Sequence, residues 1–364
     1  MSGRPKLTLS VIKIDPGGFV GHVSTHPDVV DAAKERLFSA KEKGRITDFH
    51  VLRCGNDIDL VVSHYAGLLS DDIKELATGT FNECIEVARE LKLSAPEVRE
   101  TGGPEAGKDG PALAEIGFVE RESEPVVVFM SNKTTRGAWN LPIYKIFADP
   151  FNTVGLVLDP EMFEGFSFKV LDVKDGTEVM LSTPVDIYAI LTLVGISSRY
   201  VISSVVRNSD GEAAAAVCTS RLAPGGQVAL SGDNPLAVMR CQAGLPAVGE
   251  VMESFVLPHL VEGWMGGVHS GPLMPVPFYE ANPTRFDGPP RLIGAGFQVS
   301  NGRLIGPHDM FDDPSFDESR RLANTITEYM RRHGPFQPHL LSHTERGHRT
   351  LPIVINRLKQ RFGR

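Results

Sequence analysis

A chain of 364 residues, 41% hydrophobic and 23% charged, carries enough apolar material for a large core, which excludes the disordered and fibrous classes. Its formal net charge of −8 argues against a nucleic-acid surface, and the basic run at 357–364 reads as a solvated terminal helix. No run approaches the roughly 18 apolar residues of a membrane span and the start lacks a signal-peptide core, so no membrane contact is expected and the cytoplasm is the expected compartment.

In chain order, residues 6–14 alternate apolar and polar side chains as a strand does, and Asp15-Pro16-Gly17-Gly18 then turns the chain. A helical pattern follows from Pro27 to about Lys43, with Pro27 near its start and Gly44 just past its end. Residues 46–52 and 57–65 read as strands joined by Arg53-Cys54-Gly55-Asn56. Ser70 is placed to cap a second helix that aligns Ile73, Ala77, Phe81, Ile85 and Ala88 on one face. The segment 94–111, rich in Gly, Pro, Glu and Lys, has no periodicity and reads as a mobile loop or lid. Strands resume at 114–120 and 126–131. This succession predicts a layered α/β fold. Asp312-Asp313 and Asp317-Glu318 suit the start of a helix running through Arg331. The cysteines at 54, 84, 218 and 241 lack metal or disulfide spacing and read as free, buried thiols.

Several polar residues fall where strands end. Asp15 and His22 follow the first strand, Asn56 and Asp57 sit between two strands, and Asn132 and Lys133 close another. Asp233 and Asn234 occupy a turn flanked by Gly and Pro. Any one of these alone reads as a solvated turn or an Asx cap. Together they have the oxygen-rich character that hard divalent cations require.

The runs Ser10-Val11-Ile12-Lys13-Ile14-Asp15-Pro16-Gly17-Gly18, Lys145-Ile146-Phe147-Ala148-Asp149-Pro150-Phe151-Asn152-Thr153 and Arg285-Phe286-Asp287-Gly288-Pro289-Pro290-Arg291 carry a wider resemblance. With Arg240-Cys241-Gln242-Ala243-Gly244-Leu245-Pro246 they resemble the archaeal-type bifunctional fructose-1,6-bisphosphate aldolase/phosphatase family, from about Lys6 to Phe362. The resemblance implies one domain over 1–364, built as an α-β-β-α layered sandwich and assembled as a homo-octamer. It also implies a magnesium cluster around a sugar bisphosphate, held at the positions of Asp15, His22, Asn56, Asp57, Asn132, Asp233 and Asn234. Lys133, Gln242, Arg285, Asp287 and Arg291 stand where they can address a phosphate, a hydroxyl or a metal, although Arg285 and Arg291 read equally well as salt-bridge residues.

The departures from that pattern are concentrated. Asn56, Asn132 and Asn234 stand where the family has aspartate. Two divalent ions about 4 Å apart repel by roughly 17 kcal/mol at an effective dielectric near 20, and anionic oxygens must offset that repulsion. One or two Mg²⁺ ions are therefore expected in place of a full cluster, held by Asp15, His22, Asp57 and Asp233. Gly232 replaces the family's Schiff-base lysine, and imine catalysis needs a primary amine there. Ala229, His348 and Ser94 replace tyrosines, and Gly266 replaces an arginine. Asp15, Asp233, Lys133 and His348 are the expected catalytic residues, with Asn56, Asn132, Lys133, Asn234, Gln242, Arg285, Asp287 and Arg291 on the substrate. The leading reading is a divergent metal-dependent enzyme acting on a phosphorylated or polyhydroxylated small molecule, by metal-assisted hydrolysis or lyase chemistry, with aldolase activity lost. A retained Mg²⁺-dependent fructose-1,6-bisphosphatase and a non-catalytic paralogue, binding a metabolite or an active partner subunit, are the alternatives.

Overall fold

The structure is a computed structural model that describes residues 5–19, 23–93, 110–132, 134–223, 227–231, 235–264, 269–283 and 288–333. It opens with β1 (Lys6–Ile14), α1 (Pro27–Glu42), β2 (Asp48–Cys54), β3 (Asp57–His64), α2 (Asp71–Glu90) and β4 (Ala112–Val119). Next come β5 (Glu124–Ser131), α3 (Asn140–Ala148), the single turn α4 (Gly155–Leu158), β6 (Phe166–Asp172), β7 (Thr177–Ser182) and α5 (Ile187–Val194). Then follow β8 (Tyr200–Arg207), β9 (Ala213–Val217), β10 (Ser220–Leu222), β11 (Val228–Leu230), β12 (Leu236–Arg240) and α6 (Val248–Glu253). The hairpin β13 (Leu260–Gly263) and β14 (His269–Pro272) leads to β15 (Met274–Pro275), β16 (Arg291–Ser300), β17 (Arg303–Asp309) and α7 (Asp317–His333).

Two large sheets pack face to face. One is six-stranded in the order β11-β10-β4-β1-β3-β2, and the other is nine-stranded in the order β15-β16-β5-β12-β9-β8-β6-β7 with β17 beside β16. Leu7, Leu9, Val11 and Val61 of the first meet Val128, Met130, Val238 and Ile293 of the second in the inter-sheet core. The outer face of the six-stranded sheet, through Ile12, Ile58, Leu60 and Val62, is covered by α1 and α2. Phe129, Phe166 and Phe168 on the outer face of the nine-stranded sheet pack with side chains of α3, α5 and α6. The layers therefore run α-β-β-α. No helix among the described residues is long and apolar enough to cross a membrane.

Two positions depart from the sequence pattern, the first because of this layering. β1 alternates apolar and polar residues, yet its polar Thr8 and Ser10 are buried, because the sheet is covered on both faces. Ser70 stands at the N-cap of α2 without a side-chain capping bond, and its helix instead begins with Asp71 and Asp72 in the favourable first turn. Gly44 follows α1 with a φ of 69°, as its place past the helix end requires. All four cysteines are free and buried.

Candidate active site

Each element of the site is delivered by the end of a strand. β1 stops at Ile14 and leaves Asp15 exposed in a turn, where the Gly17 N–H donates to Asp15 Oδ1 at 3.2 Å. The β2–β3 turn approaches from the neighbouring position: Asn56 Nδ2 donates to the same Asp15 oxygen at 2.8 Å. Thr25 fixes that turn by donating its hydroxyl to the Asn56 carbonyl at 2.7 Å. Gly55 has a φ of 69°, and a Cβ added there would lie 3.0 Å from Asn132 Cβ. Glycine thus lets the turn close onto the end of β5. Asn132 is held in place by its Oδ1, which accepts from the Arg291 N–H at 2.8 Å.

Asp57 opens β3 on its inter-sheet face. Lys13 Nζ lies 2.8 Å from Asp57 Oδ2, and only 4% of the Asp57 side chain is exposed. Burial pushes the Asp57 carboxyl up to about 7, Lys13 opposes the rise, and the Asp15 charge adds to it. Asp59 lies two residues on, so the strand period places it on the same face. It is fully buried, and neither carboxylate oxygen has a hydrogen-bond partner among the described residues. Burial first, and then the Asp57 charge, raise the Asp59 carboxyl well above the carboxylate range. Burial likewise pushes the Cys54 thiol well up, which argues against a thiolate nucleophile here.

The structure brings together Asp15, Asn56, Asp57, Asn132 and the backbone of Arg291. The Arg291 side chain turns inward, with Nη1 3.8 Å from Met274 Sδ, Nε unbonded among the described residues, and no ion pair there. Gln242 does not join them in this chain. β12 runs antiparallel to β5, with Leu236 opposite Met130 and Arg240 opposite Val126, so Gln242 emerges at the end of the sheet remote from Asn132. Its backbone carbonyl accepts instead from Arg121 Nη1 at 2.6 Å. His22, Lys133, Asp233, Asn234, Arg285, Asp287 and His348 lie outside the described residues, as do Ser94, Gly232, Gly266 and 94–109 of the expected lid.

A family model described as fructose-1,6-bisphosphatase matches residues 6–363 of the chain. The chain belongs to this family. It is 51% identical over 360 residues to a fructose-1,6-bisphosphate aldolase/phosphatase of Sulfurisphaera tokodaii, covering 98% of this chain and 94% of the relative. A protein of the same name from Ignicoccus hospitalis is also 51% identical, covering 98% of this chain and 93% of its own. One from Methanothermobacter marburgensis is 47% identical, covering 98% and 99%.

Within the fructose-1,6-bisphosphatase frame, the residues present fit a divalent cation. The described donors are carboxylate and amide oxygens, the hard ligands that Mg²⁺ takes. The Lys13 ammonium on Asp57 marks a place where positive charge is already held against the site. Among the described residues no group of three or more His, Cys, Asp or Glu side chains converges, and the remaining expected acidic and histidine ligands lie outside that set.

Two contributors escaped the sequence reading. Across the six-stranded sheet, Asp59, Lys13, Ala112, Arg221 and Ala229 stand opposite one another in a single row. Arg221 is near enough to lower the Asp57 carboxyl, and its Nε donates to Ser231 Oγ at 2.9 Å. The strand period offered a signal for Asp59, since Asp57-Ile58-Asp59 places two acids on one face. Nothing local in Ser220-Arg221-Leu222 links it to β1.

Proposed function

We propose that the protein is a metal-dependent enzyme that hydrolyses a phosphorylated small molecule, with no imine-forming aldolase activity. The observation that carries this reading is the convergence of Asp15 and Asp57 at the ends of β1 and β3, bridged by Asn56 and faced by Lys13. One or two Mg²⁺ ions bound there would supply Lewis-acid polarisation of a phosphoryl oxygen. Asp15, Asp57, His22 and Asp233 are proposed to hold the cation. Asp15, exposed at the rim, also accepts a proton from attacking water. Lys133 balances the charge of the phosphate, and Arg285 with Asp287 orients the sugar. Asn56, Asn132 and Asn234 give neutral oxygen or N–H contacts, and His348 is the proposed acid or base near neutral pH.

Retained hydrolysis of fructose 1,6-bisphosphate is the second reading, favoured by the family match and the relatives' names. Phosphate release with Mg²⁺, measured on fructose 1,6-bisphosphate and a panel of sugar monophosphates, separates the two. Release from the bisphosphate that vanishes in Asp15→Ala supports the second reading, and release confined to other substrates supports the first. No release from any of them, with purified folded protein, would sink both. Borohydride treatment with dihydroxyacetone phosphate is expected to give no adduct, because Gly232 has no amine. A stable adduct would overturn that part of the proposal.

The chain is proposed to work as one unit in the cytoplasm, assembled as a homo-octamer. Phe151, Val185 and Tyr188 support the assembly, since each is more than four-fifths exposed on the single chain. Light scattering that gave a monomeric mass would reject it.

A further inference from the structure

Arg291 opens β16 beside Asn132, whose N–H donates to the Arg291 carbonyl at 3.4 Å. Ile293, two residues on, lies in the inter-sheet core, so the strand period turns the Arg291 side chain to that same face. The β2–β3 turn reaches the same place: the Cys54 thiol donates to the Arg291 carbonyl at 3.7 Å, and the guanidinium is near enough to act on that thiol. The guanidinium itself has no bound anion. Arg291 is 9% exposed, and among the described residues its Nε has no hydrogen-bond partner and it forms no ion pair. Nη1 meets the Met274 sulfur at 3.8 Å, a weak acceptor. Glu280 acts on the guanidinium through space, from an exposed turn. A buried cation without a partner is costly, and proteins seldom keep one unless an anion completes it.

We propose that Arg291 is a phosphate acceptor held in reserve: stowed beside Met274 in the free protein, its guanidinium turns out to take a phosphoryl group of the bound substrate. The proposal rests on the reading of that substrate as phosphorylated, given above. A guanidinium fork matches two phosphoryl oxygens through paired, charge-assisted hydrogen bonds. The Arg291 backbone is already fixed, because its N–H donates to Asn132 Oδ1 at 2.8 Å, so only the side chain has to move. Relief of the unpaired charge in the core then favours the bound form.

The test titrates inorganic phosphate into full-length wild type, Arg291→Met and Arg291→Lys by calorimetry, with Mg²⁺ and again in EDTA. Melting temperatures are read without phosphate. Arg291→Met is expected to bind phosphate about ten- to hundredfold more weakly, the usual loss for a hydrogen bond to a charged group. It is also expected to melt at or above the wild-type temperature, because an apolar side chain replaces an unpaired buried charge. Phosphate affinity unchanged in both buffers overturns the proposal. So does a lower melting temperature or a failure to fold, which would make Arg291 a structural cation. Arg291→Lys keeps the charge without the fork, and is expected to fold and to bind phosphate more weakly than wild type. Wild-type affinity in Arg291→Lys overturns the paired contact. In EDTA, fructose 1,6-bisphosphate is expected to compete with inorganic phosphate for wild type, and an absence of competition overturns the assignment to substrate. Wild type that binds phosphate in neither buffer removes the phosphorylated-substrate reading, and this proposal with it. Binding that Arg291→Met retains in full removes this proposal alone.

Discussion

At the scale of single residues, the amide at position 56 determines how the site stands without a metal. Asn56 donates to Asp15 Oδ1, so a neutral donor occupies the place where a carboxylate would repel. Asn56→Asp is expected to lower the melting temperature in EDTA and to gain more from Mg²⁺ than wild type does. A variant that Mg²⁺ leaves unmoved would argue against a cation at this turn. Asp57 has the opposite character, an acid whose folded value of about 7 lies above the unfolded value near 3.9. A raised carboxyl pKa stabilises most below the unfolded value, and that contribution is lost as pH rises through the folded value. In metal-free protein, the stability of wild type relative to Asp57→Asn should therefore decline between about pH 4 and pH 7. Melting curves in EDTA across that window provide the check, and a flat or rising difference would contradict the assigned environment. Asp15 and Asp57 were legible in the sequence because each follows or opens a strand. The cations that act on Asp57, Lys13 of β1 and Arg221 of β10, come from other strands.

At the scale of elements, the β2–β3 turn is constrained in its sequence. Gly55 combines a φ of 69° with an approach to Asn132 that a Cβ would crowd at 3.0 Å. Gly55→Ala should cost more than about 1 kcal/mol by urea denaturation, since the backbone there is incompatible with a side chain. A cost within about 0.5 kcal/mol would mean that the end of β5 gives way. Ser10, His64 and Glu115 show why composition alone is a poor guide to catalysis. The Ala66 N–H donates to His64 Nδ1 at 3.3 Å, so the neutral ring donates from Nε2 to Ser10 Oγ at 2.8 Å. Ser10 in turn donates to Glu115. The proton runs away from the histidine, the reverse of what activates a serine nucleophile. Burial also lowers the His64 ring to about 4, which keeps it neutral. The trio is a cross-strand tie linking β1 with β3 and β4.

At the scale of the molecule, the two ends of the nine-stranded sheet serve different purposes. The end near Asn132 carries the proposed site, and the opposite end carries a buried ionic anchor. Arg240 and Glu124 are both fully buried and meet through two bonds of 2.8 Å, and the Arg121 side chain adds bonds of 2.7 and 2.9 Å to the same carboxylate. Burial opposes the charge on Glu124, yet its bonds to Arg240 and Arg121 hold the carboxyl below its ordinary range. Arg240→Ala should cost about 1.5–3 kcal/mol, because it removes two charged hydrogen bonds from a buried carboxylate that keeps only Arg121 as its cationic partner. Equilibrium unfolding checks this, and a loss below about 1 kcal/mol would mean that solvent reaches Glu124. Family membership and the layered α/β class were both readable in the sequence, since they rest on motifs and local periodicity. Sheet order was not, because β4, β1 and β3 are hydrogen-bonded neighbours that local pattern cannot align.

The sequence by itself determined the helices and strands of the first 93 residues to within a few positions, the strand-end placement of Asp15 and Asp57, and the absence of an amine at Gly232. These depend on side-chain period, turn residues and residue identity, all of which are local. Only the tertiary structure brought Asn132 against Gly55, turned Arg291 into the core, carried Gln242 to the far end of β12 and set Arg221 in line with Lys13. β10 lies between strands of the nine-stranded sheet in the sequence but pairs with β4 of the other sheet. That crossover is a long-range choice made by burial of both sheet faces, and no window of residues contains it.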